Sequence, residues 1–285
     1  MFSKLRTCLE MIRFSHTVFA LPFALMSAVL AARGLPSGRT LGWILVAMVG
    51  ARSGAMGMNR IADRALDAAN PRTRDRALPR GRISSVEAAA FVALSFLVFL
   101  VAAWQLNPLC FALAPVALFV LVGYSYTKRF TVLSHLVLGL SLGIAPVGAW
   151  IAVTGGFALA PLLLCVAVLF WVAGFDILYA FADIEFDRQA GLFSIPARWG
   201  MGVGRWVSAA FHAVTIVCLA TLVPLLGLGW VYTVGLMLAA ALLGTEHLLI
   251  HRHGLAKLDL AFFNVNGIVS IGMLVATLLD VLFPK

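Results

Sequence analysis

Acidic side chains are scarce in this chain. Its 285 residues hold 12 Asp and Glu against 21 Lys and Arg, and charged residues of both signs make up only 12%. With 62% of residues hydrophobic and a mean hydropathy of +1.01, a soluble domain is excluded, because its surface must face water. Lipid is the solvent that tolerates this composition. Cysteine is sparse too. Cys8, Cys110, Cys165 and Cys218 show no metal-ligand spacing, and the last three lie inside apolar runs, so neither a disulfide frame nor a cysteine metal cage is expected. No alternating strand pattern is present, which leaves helices as the spanning elements. The first apolar run lacks a cleavage context and is expected to be a retained helix. Long polar stretches able to dock a duplex are missing. The net charge of +9 therefore does not mark a nucleic-acid partner, and it fits basic loops beside a membrane.

Runs of roughly 20 apolar residues cross the hydrocarbon core as helices. Nine such runs are predicted, at about 16–33, 40–59, 86–105, 108–126, 133–153, 159–181, 206–226, 230–250 and 262–282. The expected fold is an all-α integral membrane bundle of nine transmembrane helices around a central cavity, one domain over residues 1–285. With the N-terminus cytoplasmic, seventeen Lys and Arg fall on the inner side, and only Arg33, Arg39 and Lys285 fall on the outer side. That asymmetry sets the orientation. The two long polar loops, about 60–85 and 183–205, are then both cytoplasmic, and long loops point to function.

The few acids cluster at the ends of the second and sixth runs. One cluster reads Asn59-Arg-Ile-Ala-Asp63-Arg-Ala-Leu-Asp67, the other Asp176-Ile-Leu-Tyr179-Ala-Phe-Ala-Asp183-Ile-Glu185-Phe-Asp187. Each holds two Asp at i, i+4, a spacing that puts both carboxylates on one helix face. Paired carboxylates repel unless a cation sits between them. Hard oxygen ligands of this kind suit Mg²⁺ shared with substrate phosphates. Arg-containing segments follow each cluster, at Asn70-Pro-Arg72 and at Ser194-Ile-Pro-Ala-Arg198, which suggests a weak parallel duplication. The plainer reading makes these Asp solvated helix-end charges paired with Arg64, Arg74 or Arg188. Two matched pairs in so acid-poor a chain favour function.

At these residues the chain resembles the UbiA superfamily of intramembrane aromatic prenyltransferases. Asn59, Asp63 and Asp67 match that family's first motif, and Asp183 and Asp187, within Tyr179–Asp187, match the second. Tyr124-Ser-Tyr-Thr-Lys128-Arg129-Phe-Thr131 is similar to a further family segment, while Arg60 replaces an Asp of the common pattern. The run Ile12–Phe23, which contains Arg13 and His16, looks most like the 4-hydroxybenzoate polyprenyltransferase group. The segment from Asp176 to Pro196 also resembles relatives in the futalosine route to menaquinone. The resemblance implies Mg²⁺-dependent transfer of a polyprenyl group from polyprenyl diphosphate to an aromatic acid in ubiquinone or menaquinone biosynthesis. It implies a site at the cytoplasmic face of a bacterial inner membrane. Asp63, Asp67, Asp183 and Asp187 would be the catalytic and Mg²⁺-binding residues. Asn59, Lys128, Arg129, Tyr179, Asp176, Arg72 and Arg198 would bind substrate, with Arg13, Arg52 and Arg129 as candidates for the acceptor carboxylate. A dihydroxynaphthoate acceptor, homogentisate prenylation and haem farnesylation are alternatives within this class. An ion-coupled secondary transporter is the alternative outside it.

Other residues are given structural readings. His247, His251 and His253 are expected to be interfacial side chains. Gly54, Gly57, Gly139 and Gly143 have the spacing of helix packing, and Trp150 and Trp171 are belt or core residues.

Overall fold

Polar residues set just ahead of apolar runs start four of the long helices. Ser37 Oγ accepts the Thr40 N–H at 3.1 Å, and Ser84 forms a reciprocal capping box with Glu87. The Asn107 side chain accepts the Cys110 N–H at 2.9 Å, ahead of a helix opened by Pro108. Ser194 Oγ accepts the Ala197 N–H at 3.3 Å. The computed structural model describes Thr7, residues 19–253 and residues 264–283. Lys4, Arg6, Cys8, Arg13, His16, Lys257, Lys285 and the side chain of His253 lie outside what is described.

The helices, in order, are α1 (Ala20–Ala32), α2 (Gly38–Ala62), α3 (Arg64–Ala69), α4 (Ser85–Leu106), α5 (Pro108–Thr127), α6 (Ser134–Thr154) and α7 (Leu159–Tyr179). A 3₁₀ turn (Ala180–Asp183) leads into α8 (Ile184–Gln189), and then come α9 (Ile195–Leu226), α10 (Trp230–His253) and α11 (Asn266–Leu282). Among the described residues, seven helices are long and apolar enough to cross a membrane: α2, α4, α5, α6, α7, α9 and α10. The shorter α1 and α11, of 13 and 17 residues, fall on the first and ninth predicted runs.

One predicted loop needs correction. Residues 183–205 are not an open loop. α8 occupies its start, and α9 begins at Ile195, well before the predicted 206. The Ser194 cap and Pro196 start α9, and a kink at Gly200 (φ 82°) redirects it. Hydropathy missed this portion because Arg198, Trp199 and Arg205 make its sequence mixed rather than apolar. The first long loop is ordered as well. Leu78 and Ile83 are buried with Ala88 against Met56 and Ile61 of α2, Ala77, and Phe91 of α4.

Packing runs α2 on α4, α6 on α7, α7 on α9, α10 on α11, and α1 against both α6 and α11. The small residues allow the close approaches. A Cβ on Gly139 would stand 2.2 Å from the Leu169 carbonyl oxygen, and one on Gly143 would stand 2.7 Å from that of Cys165. Gly54 and Gly57 face Phe96 and Val92 in the same way. Gly139→Val is expected to force α6 from α7 and to destabilise the protein by about 1–3 kcal/mol. Thermal unfolding in detergent measures this, and an unchanged midpoint would remove the packing role. Trp171 is fully buried at the centre of the largest core cluster, with Phe19, Phe23 and Phe175 around it.

Candidate active site

Both acidic motifs sit where a helix breaks. α2 ends at Asp63 with φ −93°, ψ 6°, and the 3₁₀ turn after α7 ends at Asp183 with φ −111°, ψ 4°. The repeat seen in sequence is therefore a repeat in backbone conformation. The Asp pairs do not lie on the face of one continuous helix, as their spacing suggests. The backbone departs from α-helical geometry at the first Asp of each pair, and the second Asp lies on the short helix that follows, α3 or α8.

Asp63, Asp67, Asp183 and Asp187 all line one polar cavity of about 350 Å³. Each carboxylate is held by hydrogen-bond donors from another part of the chain. Asp63 is buried, and its Oδ2 accepts from Lys128 Nζ at 2.6 Å and from Asn59 Nδ2 at 3.2 Å. Arg129 Nη2 reaches Asp63 Oδ1 at 3.2 Å. Asp67 is also buried. Its Oδ1 accepts from Arg76 at 2.7 Å, and its Oδ2 has no hydrogen-bond partner. Asp183 takes Arg72 in a two-pronged ion pair, with Nε to Oδ1 at 2.9 Å, and Asn70 Nδ2 donates to the same Oδ1 at 3.1 Å. Asp187 Oδ2 accepts from Ser194 Oγ at 2.9 Å. The loop after the first motif thus reaches the second motif directly.

Arg72 also donates to the Tyr179 hydroxyl at 3.1 Å, and its guanidinium stands 5.2 Å from the centre of that ring. Burial works against the Arg72 charge, but the hydrogen bond and charge of Asp183, then Tyr179, outweigh it and hold its pKa above the ordinary arginine value. Among the described residues, no three His, Cys, Asp or Glu side chains are grouped as a ready-made metal cage. The basic side chains stand between the carboxylates instead.

A second cavity, of about 430 Å³, adjoins the first. Its walls are almost wholly apolar, drawn from α2, α4, α5, α6 and α7. Arg52, Met56, Tyr124, Leu138 and Leu142 line both cavities, so these residues mark their junction. Val116, Phe157 and Leu162 line the apolar cavity and are exposed on the outside of the bundle.

The sequence profile of the UbiA prenyltransferase family matches residues 20–268. The chain belongs to this family. It is 37% identical to the 4-hydroxybenzoate solanesyltransferase of Synechocystis sp. over 76% of this chain and 74% of that protein. It is 34% identical to the 4-hydroxybenzoate octaprenyltransferase of Cupriavidus metallidurans over 87% of this chain and 85% of the relative. Its fold superposes on the apo structure of a UbiA homolog from Aeropyrum pernix with a TM-score of 0.85 and 34% identity, covering 93% of this chain and 98% of the other. A UbiA homolog from Archaeoglobus fulgidus bound to DMAPP and Mg²⁺ shares the fold at a TM-score of 0.72 and 20% identity, over 95% and 99% of the two chains.

In this UbiA prenyltransferase, Asn59, Lys128, Arg72, Tyr179, Asp176 and Arg52, all named from sequence, line the polar cavity. Two residues do not. Arg198 is exposed on the first turn of α9 and does not line the cavity. Arg129 stands behind Asp63, where its guanidinium donates to the carbonyls of Ala62 (2.6 Å) and Ser125 (2.9 Å). It ties the end of α2 to α5 and is not placed to meet an acceptor. The plainer reading of the Asp residues also fails in its partners, since Arg64 bonds to Ser85 and Arg188 to the Ala197 carbonyl. His247 is not a free interfacial histidine. Its Nε2 lies 2.9 Å from Nδ1 of buried His212, within hydrogen-bond distance. Sequence reasoning missed Asn70 and Arg76 as partners of Asp183 and Asp67. It also missed His135, whose Nδ1 lies 2.7 Å from Asp176. The placement of His135 just after the Lys128-Arg129 segment, in an otherwise apolar helix, was the available signal.

Proposed function

We propose that this UbiA prenyltransferase transfers a polyprenyl group from polyprenyl diphosphate to a ring carbon of an aromatic acid of the 4-hydroxybenzoate type. The observation that carries this is the junction of the two cavities. A cleft lined by carboxylates and cations meets an apolar chamber at one half-buried arginine, Arg52. The names of the relatives support the benzoate acceptor over the naphthoate one. A transporter reading loses ground because the acids gather at helix ends beside basic loops rather than at mid-membrane.

The donor set fits Mg²⁺. It consists of hard carboxylate oxygens, and Asp67 Oδ2 is buried without a partner. Mg²⁺ commonly binds through one or two carboxylates plus substrate phosphates and water, so a closed protein cage is not required. Asp63, Asp67, Asp183 and Asp187 would hold it, and its charge would stabilise the departing diphosphate. Lys128, Arg72 and Arg76 are placed to bind phosphate oxygens. The allylic C–O bond breaks with its electron pair going to diphosphate. The allylic cation then bonds to the ring carbon, which loses its proton. Phe19, Val172, Phe175, Leu138 and Leu142 line the cleft and exclude the water that would quench the cation. Arg52 would take the acceptor carboxylate and Asp176 its hydroxyl group. The prenyl tail would lie in the apolar chamber and leave between helices past Val116 and Phe157.

The whole chain, 1–285, serves as one membrane domain of nine spans in this reading, N-terminus inside, with the site at the cytoplasmic face of a bacterial inner membrane. The bias of basic residues supports it. In a variant without native cysteines, an impermeant maleimide added outside intact cells should label Thr154→Cys and spare Arg82→Cys. The reverse pattern would invert the topology. The activity is tested with purified protein, Mg²⁺, one polyprenyl diphosphate and 4-hydroxybenzoate, where absence of a prenylated product would reject the benzoate reading.

A further inference from the structure

His135 stands in the first turn of α6 and is buried. Its two ring nitrogens have unlike partners. The backbone N–H of Ile195 points at Nε2 from 3.3 Å, and Asp176 Oδ2 lies 2.7 Å from Nδ1. An N–H facing Nε2 requires that nitrogen to accept, so the ring is the neutral tautomer with its proton on Nδ1, donated to Asp176. The anchor at Ile195 is part of a tight segment. Ser194 Oγ donates to Asp187, the Phe193 N–H donates to the Lys128 carbonyl at 2.7 Å, and Ser134 Oγ donates to the Phe193 carbonyl at 3.3 Å. Residues 193–195 thus join the second acidic motif, the Lys128 backbone and His135. Both His135 and Asp176 line the polar cavity.

We propose that His135 is a positioning residue for the acceptor half of the reaction, acting through Asp176. This rests on the reading above, in which Asp176 meets the acceptor hydroxyl group. The single Nδ1–H fixes one carboxylate oxygen of Asp176 and aims the other oxygen into the cavity. The phenolic O–H donates to that oxygen as the ring carbon attacks, and the positive charge developing on the phenol oxygen is stabilised there. Because the Ile195 N–H belongs to the segment that also carries Ser194, the orientation of Asp176 depends on α9 being docked beside the diphosphate motif. A hydroxyl-bearing acceptor is thereby favoured over an aromatic acid without one.

The test is a double-mutant cycle on the full-length protein in lipid nanodiscs, with His135→Phe, His135→Asn and Asp176→Asn. Asn at 135 keeps a donor near the Nδ1 position, whereas Phe keeps the volume and loses both hydrogen bonds. His135→Phe is expected to lower kcat for the aromatic acid about 100-fold, the low end of what positioned proton acceptors contribute. The KM for polyprenyl diphosphate and the Mg²⁺ dependence should move less than about threefold, and His135→Asn should recover at least tenfold of the loss. In the Asp176→Asn background, His135→Phe should cost nothing further, since its effect passes through that carboxylate. The inference is overturned if His135→Phe turns over within threefold of the parent. It is equally overturned if the two changes multiply, or if diphosphate affinity falls along with kcat, because His135 would then be a strut between α6 and α9. Turnover of the unmutated protein on 4-hydroxybenzoate tests the underlying reading separately. If it is nil, that reading fails regardless of the ratios among variants.

Discussion

Asp63→Ala or Asp183→Ala should each cut prenyl transfer by about 10²–10³-fold, the scale on which removal of one electrostatic clamp is felt. The two residues close matching helix breaks and face one cavity. The double variant should lose little more than either single one, because groups that act as a unit do not contribute additively. Raising Mg²⁺ should return part of the activity of a single variant, since metal affinity is what the change removes. Stability should respond differently at the two sites. Asp63 is buried and joins Lys128 and Arg129, so its loss removes two ion pairs at once, whereas Asp183 is more exposed and, among the described residues, pairs with Arg72 alone. Initial rates over a Mg²⁺ titration, with thermal unfolding in parallel, separate these effects. Near-normal turnover of Asp183→Ala at low Mg²⁺ would reduce the second motif to a solvated helix end.

Arg52→Met is expected to raise the KM for the aromatic acid by about 10- to 150-fold, the worth of one hydrogen bond to a charged group. Release of diphosphate in the absence of acceptor should be unaffected. The guanidinium sits at the junction of the two cavities, and its Nε is buried without a partner. A buried donor without a partner costs stability, so the methionine variant should unfold no earlier than the parent. Arg129→Met should behave in the opposite way. Its three hydrogen bonds join α2 to α5, so it should lower the unfolding temperature and leave the acceptor KM in place. If the Arg129 variant alone altered acceptor KM, the carboxylate site would have to be moved.

The parts of this site that were legible in sequence are those whose meaning is local. Asp63 with Asp67, and Asp183 with Asp187, announce themselves by spacing in a chain poor in acids, and Asn59 lies one turn from its partner. Partners more than a hundred positions away were not legible. Nothing near Asn70 or Arg72 in the sequence says that Asp183 is within reach, and only the folded loop brings them together. Arg129 and Lys128 are neighbours in sequence with different duties, since one faces the cavity and the other faces the end of α2. Hydropathy located the seven helices long enough to span but missed the start of α9, because its first turns mix Arg and Trp with apolar residues. Nothing in the sequence says that His212 and His247, 35 positions apart, meet where α9 packs on α10.

If the prenyl tail leaves the apolar chamber past the exposed residues Val116, Phe157 and Leu162, as proposed above, the reaction has an unusual accounting of concentration. A long isoprenoid never has to pass through water to reach or leave such a mouth. Its supply is counted per lipid molecule rather than per litre, and it arrives by lateral diffusion within a sheet. The aromatic acid arrives from the aqueous side and obeys ordinary molarity. One catalytic cycle therefore joins a two-dimensional reactant to a three-dimensional one, and the enzyme's apparent affinity for the first is set as much by how much membrane surrounds it as by the protein itself.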